Sequence, residues 1–152
     1  MSENIYEALR ASHELQRTLC RKMLRASPKG GNRQLLAKEL AEELAAHAAA
    51  EERYLYAPIL MNDMGLDPSR HALSEHHEID EAVEKLSSLE PSGEAWLNHA
   101  KELSKLVHHH LKEEEKKFFQ ISGKILSDTQ KTRLAGQYRK DYQRMHSVLA
   151  SK

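Results

Sequence analysis

HAAAEERYLY (residues 47–56) and HLKEEEKKFF (residues 110–119) are the two stretches whose reading decides the fold. Each opens with a histidine followed four residues later by a glutamate: His47 and Glu51, then His110 and Glu114. On a helix, that spacing projects both side chains from one face. An acidic pair and a late aromatic follow in the same register in both stretches. The two stretches lie 63 residues apart, and so do His13 and His76. The chain therefore reads as two helical hairpins, each carrying His…His-x-x-x-Glu.

Working outward, the breakers delimit the helices. Pro28, Gly30, Gly31 and Asn32 form one loop, Gly65, Asp67 and Pro68 a second, and Glu90 to Gly93 a third. Ser127 and Asp128 form a softer fourth. The segments between them predict five helices, over about residues 3–26, 33–64, 69–89, 93–125 and 128–150. Asn32 is the expected N-cap of the second, with Asp67-Pro68 a cap and first-turn pair for the third. Pro58 is expected to kink or interrupt the second. The inner stripes run at 3–4 spacing, as in Leu36, Leu40, Leu44, His47, Glu51, Tyr54/Leu55 and Ile59. Short connections favour antiparallel neighbours. The expected fold is all-α: an up-down-up-down four-helix bundle over residues 1–126, with a fifth helix over 127–152. That last helix is charged and weakly amphipathic, suited to lie across the bundle or to form a homodimer contact.

Four inner stripes carry a histidine where an apolar residue belongs, at His13, His47, His76 and His110. Two also carry a glutamate one turn on. Buried ionised glutamates without partners are costly, and two close together more so. Two divalent cations remove that penalty. Imidazole with carboxylate suits iron, zinc or manganese. The expected ligands are His13, His47, Glu51, His76, His110 and Glu114, with Asp80 either a ligand or an orienting hydrogen-bond partner. His13 and His47 would cap one ion and His76 and His110 the other, with Glu51 and Glu114 bridging. Positions remain for water, an oxo or hydroxo bridge, or a small diatomic ligand. A polar, metal-free core would make the 63-residue repeat a coincidence. Glu43, one turn before His47, reads as solvent-facing, and His71, His77, His99, His108, His109 and His146 as surface residues. Cys20 reads as a core filler and Tyr54 as a packing residue.

The pattern H–HxxxE–H–HxxxE, with its acidic pairs and late aromatics, resembles the hemerythrin-like (HHE cation-binding) domains over about residues 3–125. The resemblance implies a non-haem diiron centre, two iron ions cycling between Fe2+ and Fe3+, that binds or reacts with O2, H2O2 or NO. Oxygen carriers of that family have His-x-x-x-His on the third helix and His-x-x-x-x-Asp on the fourth. Here Asp80 stands four residues after His76, and Glu114 four after His110. The departure points away from oxygen carriage, toward redox, peroxide, nitric oxide or iron handling. A sensor without turnover and a zinc-stabilised structural bundle are the alternatives.

Composition narrows the rest. Lys plus Arg total 23 and Asp plus Glu total 23, which gives no electrostatic footprint for nucleic acid or an anionic membrane. A single cysteine permits no intramolecular disulfide, no apolar run approaches a membrane span, and the polar N-terminus is unlike a signal peptide. The expectation is a cytoplasmic protein.

Overall fold

The computed structural model describes residues 2–152, which form helices and connecting turns without strands. The elements are α1 (Ile5–Arg25), α2 (Asn32–Glu51), a wide π-turn π1 (Glu52–Tyr56), α3 (Ala57–Leu60), α4 (Leu66–Ser87), α5 (Glu94–Glu113), a second wide turn π2 (Glu114–Phe118), α6 (Phe119–Ile125) and α7 (Asp128–Ala150). The segments α2–π1–α3 and α5–π2–α6 are continuous rods. With α1 and α4 they make the four-helix bundle, and α7 packs along α1 and α2.

Local chemistry sets the boundaries. Asn4 and Glu7 close a capping box at the start of α1, and Ser127 and Gln130 do so for α7. The expected Asn32 cap is displaced by one residue. Gly30 and Gly31 both take positive φ, 88° and 79°, a backbone that glycine alone adopts freely, and Asn32 is already helical. Asp67 and Pro68 lie inside the first turn of α4, which begins at Leu66 after Gly65.

Pro58 does not break its rod. It follows π1, and the helix continues through α3 to Leu60. The proline is not the cause shared by both wide turns, because π2 contains none. What π1 and π2 share is their position, directly at Glu51 and Glu114. A wide turn holds one more residue than an α-turn. In π1 that extra residue moves the inward position from Tyr54/Leu55 to Leu55 and Tyr56, which are buried, while Tyr54 is only partly so.

The apolar core lies in two clusters. One gathers Ile5, Leu9, Leu55, Ile59, Phe118, Phe119, Leu134 and Tyr138. The other gathers Leu19, Met23, Leu40, Leu44, Trp96, Leu103 and Val107. Along every rod the histidines and glutamates of the repeat fall between the two, so apolar packing seals that polar layer from both ends. Cys20 is buried in the second cluster.

The heights of the histidines also fall into line. His47 lies 13 residues before the end of α3, and His76 lies 10 after the start of α4. The difference is about 4.5 Å at ~1.5 Å per residue, less than one turn.

Candidate metal centre

The six histidines and glutamates of the repeat converge in that layer. All are buried, and Glu51 is 0% exposed. They form two overlapping groups: His13, His47, Glu51 and Glu114, and His76, His110, Glu51 and Glu114. Within each group one donor atom per residue lies within 4.8 Å of all the others. The two glutamates are common to both. His13 Nε2 lies 3.1 Å from Glu114 Oε1, and Glu51 Oε1 lies 3.2 Å from the Nε2 atoms of both His47 and His76. His76 and His110 bring their Nε2 atoms to 3.1 Å.

These contacts are close without being satisfied. His13 Nε2, His47 Nε2, both carboxylate oxygens of Glu51 and Glu114 Oε1 are buried with no hydrogen-bond partner. Orphaned buried polar atoms are rare in folded proteins and each is costly. Here the orphans point at one another across a nitrogen–oxygen cluster of the type that holds divalent first-row metals. The donor set fits divalent cation binding, and Glu51 and Glu114 are common to both groups.

The other ring nitrogen of each histidine is tied outward. His13 Nδ1 donates to Glu115 Oε2 at 2.7 Å, His76 Nδ1 to Glu52 Oε2 at 2.7 Å, and His110 Nδ1 to Glu75 Oε1 at 2.8 Å. A carboxylate only accepts, so each of these Nδ1 atoms carries a proton and each ring turns its Nε2 inward. Glu115 is itself held by Arg17, at 2.9 Å. His47 Nδ1 lies 2.8 Å from the hydroxyl of Tyr138, which lies 2.7 Å from Ser12 Oγ.

These outer contacts follow the 63-residue repeat. Glu52 and Glu115 are equivalent, as are Ser12 and Glu75. Where Glu75 reaches His110 directly, Ser12 is too short, and Tyr138 of α7 fills the gap to His47. Tyr56 and Phe119 are also equivalent. The Tyr56 ring packs 5.2 Å from His76 and that of Phe119 stacks 5.8 Å from His13. Only Tyr56 carries a hydroxyl, which donates to Glu114 Oε2 and stands 3.4 Å from His76 Nε2. It adds a hydroxyl to the polar layer on one side.

The electrostatics follow from the same contacts. Burial lowers the His13 pKa, but Glu114 and Glu115 outweigh it and push the group up to about 9. Burial is likewise outweighed at His76, which Glu51 and Glu52 raise to about 10. Against its own burial, Glu51 is held well below the ordinary carboxylate range by His47 and His76. Values that high favour protons on His13 and His76 beside the buried carboxylates at neutral pH, and a cation bound there would displace them.

Asp80 is not brought into either group. It is exposed on α4 and reaches only the rim of a narrow cleft beside His47, His76 and His110. Glu43 is a correction: it is 1% exposed rather than solvent-facing. It accepts hydrogen bonds from Tyr142 and, at 3.0 Å, from His146, because α7 covers that face of α2. His146 is thereby half-buried, whereas His71, His77 and His109 are exposed. The roles of Tyr56, Glu52, Glu75, Glu115 and Tyr138 go beyond the sequence reading. The repeated acidic pair was the available signal for Glu52 and Glu115; nothing local signals Tyr138.

A second opening reaches the centre from solvent. A cavity of about 310 Å³ is lined by His110 and Glu114 at its inner end and by Ala72, Phe118 and Ile121 along its walls. No helix among the described residues is long and apolar enough to cross a membrane.

Residues 4–121 match the family described as "Hemerythrin HHE cation binding domain". Among solved structures, the chain is similar to a hemerythrin HHE cation binding domain-containing protein from Mycobacterium kansasii. The TM-score is 0.85 at 22% identity, covering 96% of this chain and 89% of that one. At that identity the likeness speaks for the fold. No curated protein matches the chain.

Proposed function

The chain belongs to the hemerythrin HHE cation-binding family, and from that premise we propose that it holds two iron ions and binds or reacts with a small oxidant or gas, O2, H2O2 or NO. The observation that carries this reading is the pair of buried four-donor groups sharing Glu51 and Glu114, with five donor atoms left without hydrogen-bond partners. His13 and His47 would hold one ion, His76 and His110 the other. Bound iron would supply one-electron chemistry and free positions for a diatomic or peroxide ligand.

The chain's own residues do the rest. Glu52, Glu75, Glu115 and Tyr138 hold the Nδ1 protons outward and fix the imidazole planes. The two apolar clusters exclude bulk water, which limits side reactions. The cavity past Phe118 and Ile121 gives a small ligand its path to His110 and Glu114. The Tyr56 hydroxyl donates at Glu114; burial and the flanking glutamates hold its pKa well above the usual phenol range.

A second reading is favoured by Tyr138. Its contact with His47 links the centre to α7, so metal or gas occupancy can change that helix and act as a signal without turnover. The deciding experiment is metal content per chain after anaerobic iron loading, with optical spectra before and after air or peroxide. About two irons per chain with new near-ultraviolet bands supports the diiron reading, and catalytic loss of peroxide favours turnover over sensing. Less than one metal per chain, or tightly held zinc with a silent spectrum, removes the oxidant chemistry.

A further inference from the structure

His71-x-x-x-Glu75 on α4 and His109-x-x-x-Glu113 on α5 repeat the spacing of the core pairs, but on the outer side of the bundle. The two helices pack side by side and the pairs meet. His71 Nε2 lies 2.8 Å from Glu113 Oε1 and 3.5 Å from Glu75 Oε2. His109 Nε2 lies 3.0 Å from Glu113 Oε2 and 3.6 Å from Glu75 Oε2. A tetrahedral ion with ligands at about 2.0–2.1 Å keeps neighbouring donors about 3.3–3.4 Å apart; His71, Glu75 and Glu113 each bring one donor atom within 4.8 Å of the other two, with His109 beside them. The imidazoles are largely exposed, while the two carboxylates beneath them are mostly covered, at 13% and 24% exposure.

The position adds an independent argument. His71, Glu75 and Glu113 line the same cavity of about 310 Å³ whose inner end is His110 and Glu114. Glu75 faces both ways: Oε2 lies among the outer imidazoles, while Oε1 accepts from Nδ1 of His110. Its lining holds Asp67, Glu75 and Glu113 against one ammonium, Lys117, so the passage draws cations inward.

We propose that His71, Glu75 and Glu113, with His109 at their edge, bind one divalent cation at the mouth of this cavity, as a staging site from which the core centre is filled. The staging half rests on the core holding metal; the binding half does not.

The test is titration with Co2+, followed by calorimetry and by the histidine side-chain resonances. It is made on the wild-type protein, on His71→Ala plus His109→Ala, and on Glu51→Ala plus Glu114→Ala. The outer variant changes only exposed side chains and should fold as wild type. It is expected to bind one equivalent fewer than wild type. The core variant is expected to keep one equivalent that shifts the His71 and His109 resonances. Should the core variant not fold, wild type against the outer variant decides alone. Equal stoichiometry in those two overturns the outer site whatever the core does. A one-equivalent difference sustains it even if the core proves to hold no metal. In stopped-flow mixing with Fe2+, the outer variant should fill its core several-fold more slowly; an unchanged rate overturns the staging role.

Discussion

Replacing Tyr138 with phenylalanine tests whether the fifth helix is part of the centre. The side chain is 0% exposed, and its hydroxyl joins Ser12 Oγ at 2.7 Å to His47 Nδ1 at 2.8 Å. Phenylalanine keeps the ring, so no cavity larger than one oxygen opens. Two buried polar groups then lose a partner, each worth about 1–3 kcal/mol when left unsatisfied. Ser12 can turn back to the carbonyl of Ala8 on its own helix and recover most of its share. His47 has no such recourse. The net loss is about 1–3 kcal/mol, or a fall in Tm of about 2–12 °C for a chain of this size. Loss of the group that orients a ligating histidine weakens metal binding by about 10–100-fold. The assay is denaturant unfolding of the metal-free protein, paired with chelator competition for bound metal. Tyr142→Phe is the control: it removes a hydrogen bond to Glu43 on the same helix, so it should cost stability and leave metal affinity unchanged. If Tyr138→Phe binds metal as tightly as wild type, α7 is a cover and not a component of the centre.

Other outcomes follow from the same geometry. Glu51→Ala with Glu114→Ala removes the two residues common to both donor groups, so metal analysis should find no two-metal binding; two metals per chain in that variant would refute the assignment. In the metal-free protein, the His13 and His76 pKa values stand at about 9 and about 10 against 6.5 for the free side chain. The stability they contribute is fully present below about pH 6.5 and is lost as pH rises through 9 to 10, so Tm should fall across that interval. Over the same interval metal binding should tighten, and calorimetry at pH 7 in buffers of different ionisation heat should register proton release on binding. Gly65→Ala would drive a methyl group into the backbone oxygen of Ile59. It should cost about 1–3 kcal/mol or more in chemical unfolding, with the metal stoichiometry of the folded fraction unchanged.

The sequence by itself determined the helices, their hairpin pairing and the residues that converge. A 3–4 apolar stripe admits only one inward face, so a histidine or glutamate on that stripe must end in the core. The 63-residue repeat then states which of them share a layer. Local pattern has less to say wherever position depends on a turn's width or on a distant helix. Tyr56 rather than Tyr54 faces the centre because π1 takes in an extra residue, and no propensity marks that turn. Glu43 sits one turn from His47 on what reads as a polar flank, and α7, about a hundred residues further on, makes it interior. Asp80 has the spacing of a ligand on paper, yet the rotation of α4 that buries His76 leaves it outside both donor groups. The tertiary structure alone decided which partner each histidine's outer nitrogen meets. Those contacts join residues from different rods, and α7 breaks the twofold repeat by lending Tyr138 where Ser12 cannot reach.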